Sequence, residues 1–232
     1  MEHEPLPAVT ARKRNPRSGR RRRNKKKPVL TLWQGVALAV LAIPLIIAVV
    51  SLNRANASMD ALKQEREEKR IAWEQEVGRH QTLYRQEIRR CAAQYGIDPA
   101  FAAAIIKRES DYDPKAVSRV GAMGLMQMMP DSFDWVGPKC GLDKNDKNAL
   151  FIPENAIKTG CYLLGYIAPM FDGDPILTAC AYHAGWGNVR SWLQKYSTDG
   201  KHLTIEQIPM EDTRYYARKV MEAYAIYQQY HY

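Results

Sequence analysis

The stretch that decides the fold is residues 109–130, which read ESDYDPKAVSRVGAMGLMQMMP. It begins at a carboxylate, Glu109, and passes through turn-forming residues to a proline. Gly121 and Gly124 bracket small and flexible residues, and glycine lets a backbone come close to a ligand. We therefore expect an irregular loop whose glycines lie near a bound molecule.

The residues before this loop predict a helix with Glu109 on its apolar side. Asp98 can cap the helix, with Pro99 at the first helical position. Positions 102, 105 and 106 are apolar and share a helical stripe with Glu109, whereas Lys107 and Arg108 are expected on the polar side. Burial raises the pKa of a carboxyl, which suits a general acid. The alternative is a partly buried glutamate that its hydrogen bonds merely satisfy.

From Glu109 onward the sequence resembles the signature of the soluble lytic transglycosylases, a family that shares the fold of goose-type lysozyme. Three later segments agree with the motifs of that family in order and spacing: Pro153 to Leu163, Ala181 to Trp192 and Pro209 to Val220. Two residues depart from the pattern, because His183 stands where Asn is usual and Asp212 where glutamate is usual. The resemblance covers about residues 91–228.

The resemblance implies an all-α catalytic domain, α+β lysozyme-like at most, over residues 91–232. It implies a peptidoglycan lytic transglycosylase that cleaves the MurNAc-GlcNAc β-1,4 bond without water and leaves 1,6-anhydro-MurNAc ends. Glu109 would be its only catalytic acid and base. No second carboxylate is evident in the motifs, although most glycoside hydrolases use two. The alternatives are a lysozyme-like hydrolase and an inactive glycan-binding scaffold.

The same resemblance implies four substrate-binding residues. Ser118 would hydrogen-bond Glu109 or the substrate acetamido group, Gln127 would bind sugar or peptide, and Tyr182 and Tyr216 would line the cleft near the carboxyl. Simpler interpretations exist, since a serine can cap a turn and a buried tyrosine usually needs only one hydrogen-bond partner. Peptidoglycan glycan strands are the expected partner, and no cofactor is expected.

The excess of positive charge is confined to one end of the chain. Of the 34 Lys and Arg residues, 11 fall within residues 1–28, together with only 2 of the 25 acidic residues. From Val29 onward the chain carries 23 basic and 23 acidic residues. It therefore lacks the basic face that binding to nucleic-acid phosphates requires, and nucleic acid is not an expected partner.

An uncharged run of 24 residues, from Val29 to Leu52, predicts a transmembrane helix. As a helix it would be about 36 Å long, and a hydrocarbon core is roughly 30 Å thick. The preceding residues 1–28 form a basic tail that is expected to stay in the cytoplasm. This pattern predicts a single-pass protein of the inner or cytoplasmic membrane, with its catalytic domain outside the cytoplasm. The alternative is a cleaved signal peptide, because residues 55–57 read ANA, an A-x-A pattern.

Residues 53–90 are predicted to form a charged helical stalk. They are rich in Glu and Arg, contain no proline, and carry a sparse apolar stripe at helical spacing that includes Trp73 and Val77. The apolar positions do not form the heptads of a coiled coil. We interpret the stalk as a spacer that merges into the first helix of the globular part.

All four cysteines follow the predicted span; they are Cys91, Cys140, Cys161 and Cys180. In an oxidising compartment they can form two disulfides, with three possible pairings. The alternative is that they are buried thiols of a helical core. No CxxC pair or interleaved histidine spacing suggests zinc, so no metal site is expected.

Overall fold

The computed structural model describes residues 31–79 and 83–230. The predicted basic tail and the first two residues of the predicted span lie outside the described residues, as do residues 80–82. The chain divides into two compact units, one ending at Ala61 and one beginning at Leu62.

Helix α1 runs from Leu32 to Arg79. Within the described part of the chain, it is the one helix long and apolar enough to cross a membrane, judged by length and composition. The large apolar side chains described between Trp33 and Leu52 are exposed. A continuous exposed apolar surface is unusual on a helix that faces water. These observations support the predicted span, and its orientation stays a prediction.

The second unit is built from short helices. After the end of α1 these are α2 (Arg85–Tyr95), α3 (Pro99–Ser110), α4 (Pro130–Lys139), α5 (Pro153–Ile167), α6 (Pro175–Ala184), α7 (Trp186–Tyr196) and α8 (Glu211–Gln229), with 3-10 turns at Lys147–Phe151, Ala168–Phe171 and Ile205–Gln207. The described residues form no strand, only isolated bridges that join Met123 to Val117 and to Met128. The prediction of an all-α domain is confirmed.

Local sequence fixes both ends of α3. Asp98 caps the helix as predicted, because its side chain accepts a hydrogen bond from the Ala100 N–H at 2.8 Å. Asp111 ends the helix in the left-handed conformation, with a φ of 52°. Asp can adopt this conformation more readily than most residues. The helix therefore ends one residue beyond Glu109.

Helix α3 lies at the centre of the main core. Every residue from Ala100 to Lys107 is buried, and the helix packs against α8 and α2. Full burial of a side chain such as Ile105 or Ile106 contributes about 1.5–3 kcal/mol. This packing holds the end of α3, and with it the backbone of Glu109, in one position.

The C-terminal end of α1 belongs to the same core. Val77 is fully buried, and Trp73 packs against the cluster. The Tyr227 O–H on α8 also donates a hydrogen bond to the Val77 carbonyl at 3.2 Å. The interpretation of the stalk as a mere spacer is therefore wrong for its last turns, because apolar side chains there are removed from water by the globular part.

The cysteines are free thiols, and all four are buried. The expectation of two disulfides is wrong, and the alternative of buried core thiols is confirmed. Burial is the largest cause that raises the pKa of Cys91 and of Cys180, each to about 12. Because the thiolate is the reactive form, these side chains contribute packing rather than chemistry.

Candidate active site

A cleft of about 700 Å³ lies at the C-terminal end of α3. Four elements form its walls: the last turns of α1, the end of α3, the loop that follows α3, and α8. The lining residues are Trp73, Glu76, Lys107, Arg108, Glu109, Ser110, Asp111, Ala116, Val117, Ser118, Gln127, Tyr215, Lys219 and Ala223. The cleft thus brings together three residues singled out by sequence, Glu109, Ser118 and Gln127.

Glu109 lines this cleft, and its carboxyl is largely surrounded by protein. The residue is partly buried as a whole, and its Oε1 accepts a hydrogen bond from the Tyr216 O–H at 2.7 Å. Burial raises the pKa of Glu109 to about 7, while the Tyr216 hydrogen bond and the nearby charge of Arg108 pull it down. The predicted upward shift of this pKa is confirmed. Near neutral pH the carboxyl can therefore exist in both protonation states.

The sequence placed Lys107 on the polar side of α3, but in the structure this residue is buried. Its side chain is only 3% exposed, and its ammonium donates to Glu76 Oε1 at 3.0 Å and to Asp111 Oδ1. The same ammonium lies 5.6 Å from the ring centroid of Trp73. The difference arises because the last turns of α1 cover this side of α3. Two cleft carboxylates are thereby paired with one buried cation.

Arg108 is exposed, as predicted. Its guanidinium lies 5.6 Å from the ring centroids of both Tyr215 and Tyr216. Arginine stacks favourably on aromatic faces because its planar cation is weakly hydrated. The two tyrosine rings of α8 therefore hold this cation at the cleft, next to Glu109.

The loop after α3 is held by backbone-directed hydrogen bonds. The Ser110 O–H donates to the Leu125 carbonyl at 2.8 Å, and the Gly124 N–H donates to the Ala116 carbonyl at 2.8 Å. A Cβ on Gly124 would lie 2.0 Å from the Leu150 carbonyl oxygen. Gly124 is thus required by close backbone packing rather than by a ligand, contrary to expectation. The loop is anchored directly to the helix that carries Glu109.

Ser118 and Gln127 are both used in holding this loop. Ser118 Oγ accepts a hydrogen bond from the Ala122 N–H at 3.0 Å. The Gln127 side-chain amide donates to the carbonyls of Ala116 and Gly124, each at 3.1 Å. No hydrogen bond joins Ser118 to Glu109 within residues 31–79 and 83–230. Ser118 therefore caps a turn, and both residues also line the cleft.

Tyr182 and Tyr216, which were expected to line the cleft, are not among its lining residues. The Tyr216 O–H contacts Glu109, whereas the Tyr182 O–H donates to the Met126 carbonyl at 2.7 Å. Burial, the largest cause, raises the pKa of both hydroxyls, and the charge of Glu109 adds to it. His183 stacks on Tyr216 with a centroid separation of 4.4 Å. Tyr216 is thus a neutral donor fixed on one side by an imidazole ring.

Sequence reasoning gave no role in the cleft to several of its lining residues, among them Trp73, Glu76, Tyr215 and Lys219. A signal existed for two of them, because Trp73 lies on the apolar stripe of the stalk and Tyr215 precedes Tyr216. That signal indicates packing, and it does not say which surface the side chains face.

The described residues contain no cluster of three or more His, Cys, Asp or Glu side chains that could hold a metal ion.

Comparison with known proteins relates this chain to one family. The soluble lytic murein transglycosylase of Escherichia coli (strain K12) is 32% identical over 160 residues, which are 68% of this chain and 25% of that protein. The membrane-bound lytic murein transglycosylase C of Sodalis glossinidius (strain morsitans) is 34% identical over 123 residues, 48% of this chain and 33% of that protein. The chain thus spans about a quarter to a third of the length of these curated relatives.

Solved structures agree with the sequence comparison. An inactive glutamate-to-glutamine mutant of lytic transglycosylase Slt from Pseudomonas aeruginosa superposes with a TM-score of 0.58 and 34% identity, covering 64% of this chain and 24% of that one. The lysozyme-like fold expected from the sequence is thereby confirmed. Residues 86–205 match the family described as the transglycosylase SLT domain. The chain therefore belongs to the transglycosylase SLT domain family.

Proposed function

We propose that this protein is a peptidoglycan lytic transglycosylase in which Glu109 is the single catalytic acid and base. The observation that carries the proposal is the buried Glu109 carboxyl, whose pKa of about 7 allows both roles at neutral pH. The other two carboxylates of the cleft, Glu76 and Asp111, are paired with the buried ammonium of Lys107. Glu109 is thus the cleft carboxyl that has no cationic partner in the described part of the chain.

The reaction has two proton transfers. Protonated Glu109 donates its proton to the glycosidic oxygen between N-acetylmuramic acid and N-acetylglucosamine. The bond from this oxygen to the anomeric carbon of muramic acid breaks, and the acetamido group of the substrate stabilises the positive charge that develops at that carbon. The resulting carboxylate then removes the proton of the muramic acid 6-hydroxyl, whose oxygen attacks its own anomeric carbon. Intramolecular attack has a high effective molarity. The product is a 1,6-anhydro ring, no water is consumed, and Glu109 regains its proton.

The Tyr216 hydroxyl suits both halves of this cycle. It stabilises the carboxylate when Glu109 acts as a base, yet it remains neutral itself because its own pKa is raised. Ser118 and Gln127 would contact sugar or peptide with the hydrogen-bonding capacity left after they hold the loop. Tyr182 would act indirectly, by fixing the Met126 carbonyl.

Two similarities to known proteins support the proposal. The relatives compared above are named lytic murein transglycosylases, and replacing one glutamate by glutamine gives an inactive form of the Pseudomonas aeruginosa enzyme. Glu109 is the glutamate we assign to that role here. Glycan strands of peptidoglycan are accordingly the proposed substrate of this chain.

Mass spectrometry of the products distinguishes the proposal from its alternatives. Full-length protein in detergent is incubated with purified peptidoglycan in water enriched in heavy oxygen. We expect 1,6-anhydro-muropeptides that contain no heavy oxygen. Reducing muramic acid ends that carry the label would identify a lysozyme-like hydrolase, and intact strands would identify a glycan-binding scaffold.

We further propose that the protein is a single-pass protein of the cytoplasmic membrane with its catalytic unit outside the cytoplasm. The exposed apolar half of α1 supports this, as does the name of the membrane-bound relative. Protease added to spheroplasts should digest the catalytic unit. Its protection would contradict the orientation, and a soluble form beginning at Ser58 would indicate a cleaved signal peptide.

A further inference from the structure

One cation at the cleft is not neutralised by the protein. Arg108 is exposed, and within the described residues its guanidinium has no carboxylate within ion-pairing distance. It lies close enough to Glu109 to lower the pKa of that carboxyl, but it forms no ion pair with it. At this point of the cleft the described residues therefore leave the guanidinium of Arg108 without an ion-pair partner, although Glu109 is its neighbour in the chain.

The two lysines of the cleft are already held in ion pairs. The ammonium of Lys107 is shared by Glu76 and Asp111. Lys219 is paired with Glu222 through a contact of 2.7 Å. Neither lysine is therefore available to bind an anion without breaking an existing pair, and Arg108 is the cation that remains.

The position of this guanidinium is set by aromatic rings. Tyr216 is buried and is hydrogen-bonded to Glu109, so its ring cannot move without disturbing that contact. Tyr215, which is 51% exposed, lines the cleft beside it. An arginine that lies beside aromatic rings can keep N–H groups free at the edge of its guanidinium plane, where a carboxylate can be bound in a bidentate manner.

We propose that Arg108 is a specificity-determining residue that binds a carboxylate of the substrate next to Glu109. The inference rests on the proposed function and names the chemical group that the cleft recognises beyond the sugars. Peptidoglycan offers this group from two sources: the lactyl group of muramic acid where the peptide has been removed, and the acidic residues or the C-terminus of an attached peptide. A polymer of N-acetylglucosamine alone offers neither source.

The test measures binding in the Glu109→Gln background, in which strands are not turned over. Three soluble ligands are compared: peptide-bearing glycan strands, strands freed of peptide, and neutral chitooligosaccharides. Adding Arg108→Gln should weaken binding of one or both carboxylate-bearing ligands about tenfold, as expected for loss of a hydrogen-bonded charge. Binding of chitooligosaccharides should not change. The ligand that is affected identifies the source of the carboxylate.

Arg190→Gln is the matched control, because Arg190 is an exposed arginine of α7 that does not line the cleft. It should bind all three ligands like the parent. The dependence of strand binding on salt should decrease in Arg108→Gln but not in the control, since an exposed ion pair is screened by salt. Arg108→Lys should restore only part of the affinity.

The inference and the proposed function fail in different ways. Unchanged strand binding in Arg108→Gln, or an equal loss for strands and chitooligosaccharides, would overturn the inference alone. If the Glu109→Gln protein binds no strands and the wild type cleaves none, the proposed function itself is wrong. Thermal melts of each variant show whether any loss comes from unfolding.

Discussion

Lys107 and Glu109 lie two residues apart at the end of α3, and both place a charged group within protein, yet their surroundings differ. The Lys107 ammonium has two carboxylate partners and a tryptophan ring. The Glu109 carboxyl accepts a hydrogen bond from one neutral hydroxyl, and Arg108 lowers its pKa without forming an ion pair with it in the described part of the chain. One buried charge is satisfied by the fold, and the other is left poised to change its protonation state.

This difference distinguishes a buried ion that links elements of the fold from a buried group that can transfer a proton. A buried charge that is paired links elements of the fold, here α1 to α3. A buried carboxyl without a cationic partner has its pKa moved toward neutrality, which costs stability and makes proton transfer possible. Perturbed carboxyls in clefts are for this reason candidate functional groups.

The largest expected effect is on catalysis by Glu109. Glu109→Gln keeps the shape of the side chain but cannot donate or accept the proton, so cleavage should fall by at least about 10² to 10⁴-fold. Turbidity clearance of purified peptidoglycan measures it. The control is Glu76→Gln, which removes another cleft carboxylate and should retain most of the activity. More than a tenth of wild-type activity in Glu109→Gln would show that the acid is elsewhere.

The same variant should reveal the cost of burying Glu109. In the folded protein its pKa is about 7 instead of 4.5, so the folded state binds more protons and the free energy of unfolding decreases as pH rises through that window. Glu109→Gln removes this decrease in the free energy of unfolding, because glutamine does not ionise. The variant should match the wild type near pH 4 and exceed it by up to about 3 kcal/mol near pH 8. Thermal melts across pH test the sign, and a constant difference would contradict it.

The next effect concerns the pairing of Lys107. The double variant Glu76→Gln, Asp111→Asn replaces both carboxylate partners of Lys107 and leaves the buried ammonium with neutral amide partners. This should lower the free energy of unfolding by about 1–3 kcal/mol. Lys107→Met, by contrast, should be close to neutral, because an apolar side chain of similar size replaces the buried ion. Urea denaturation compares them. A larger loss in Lys107→Met would mean that the ion pairs themselves stabilise the fold.

The smallest effect is expected for Tyr216→Phe. The tyrosine hydroxyl lowers the pKa of Glu109, so removing it should raise that pKa further. The alkaline limb of the activity profile should move to higher pH, and activity near neutral pH should change by no more than about tenfold, the value of one hydrogen bond. Tyr215→Phe is the matched control and should leave the profile in place. A shift toward lower pH would contradict the assignment of Tyr216 as a donor to the carboxylate.

Much of the site is local in sequence and could be predicted from it. The cap at Asp98, the helical stripe and the loop with its glycines place Glu109 at a helix end, because these features depend on residues only a few positions apart. The disulfide prediction was wrong because cysteine count and compartment say nothing about the distance between sulfur atoms. Gly124 was correctly seen as special, yet its reason, a carbonyl of Leu150, is distant in sequence.

By itself the sequence determined the helical class, the family, the apolar span and the carboxyl that the cleft would hold. Only the tertiary structure decided which neighbours that carboxyl has. The last turns of α1 cover Lys107, and α8 supplies Tyr215 and Tyr216, from segments before and after the family match at residues 86–205. Periodicity assigned Lys107 to the polar face because it registers only the side of a helix on which a residue lies. Whether that side meets water or another helix depends on packing between segments far apart in the chain, and that packing sets both the pairing of Lys107 and the pKa of Glu109.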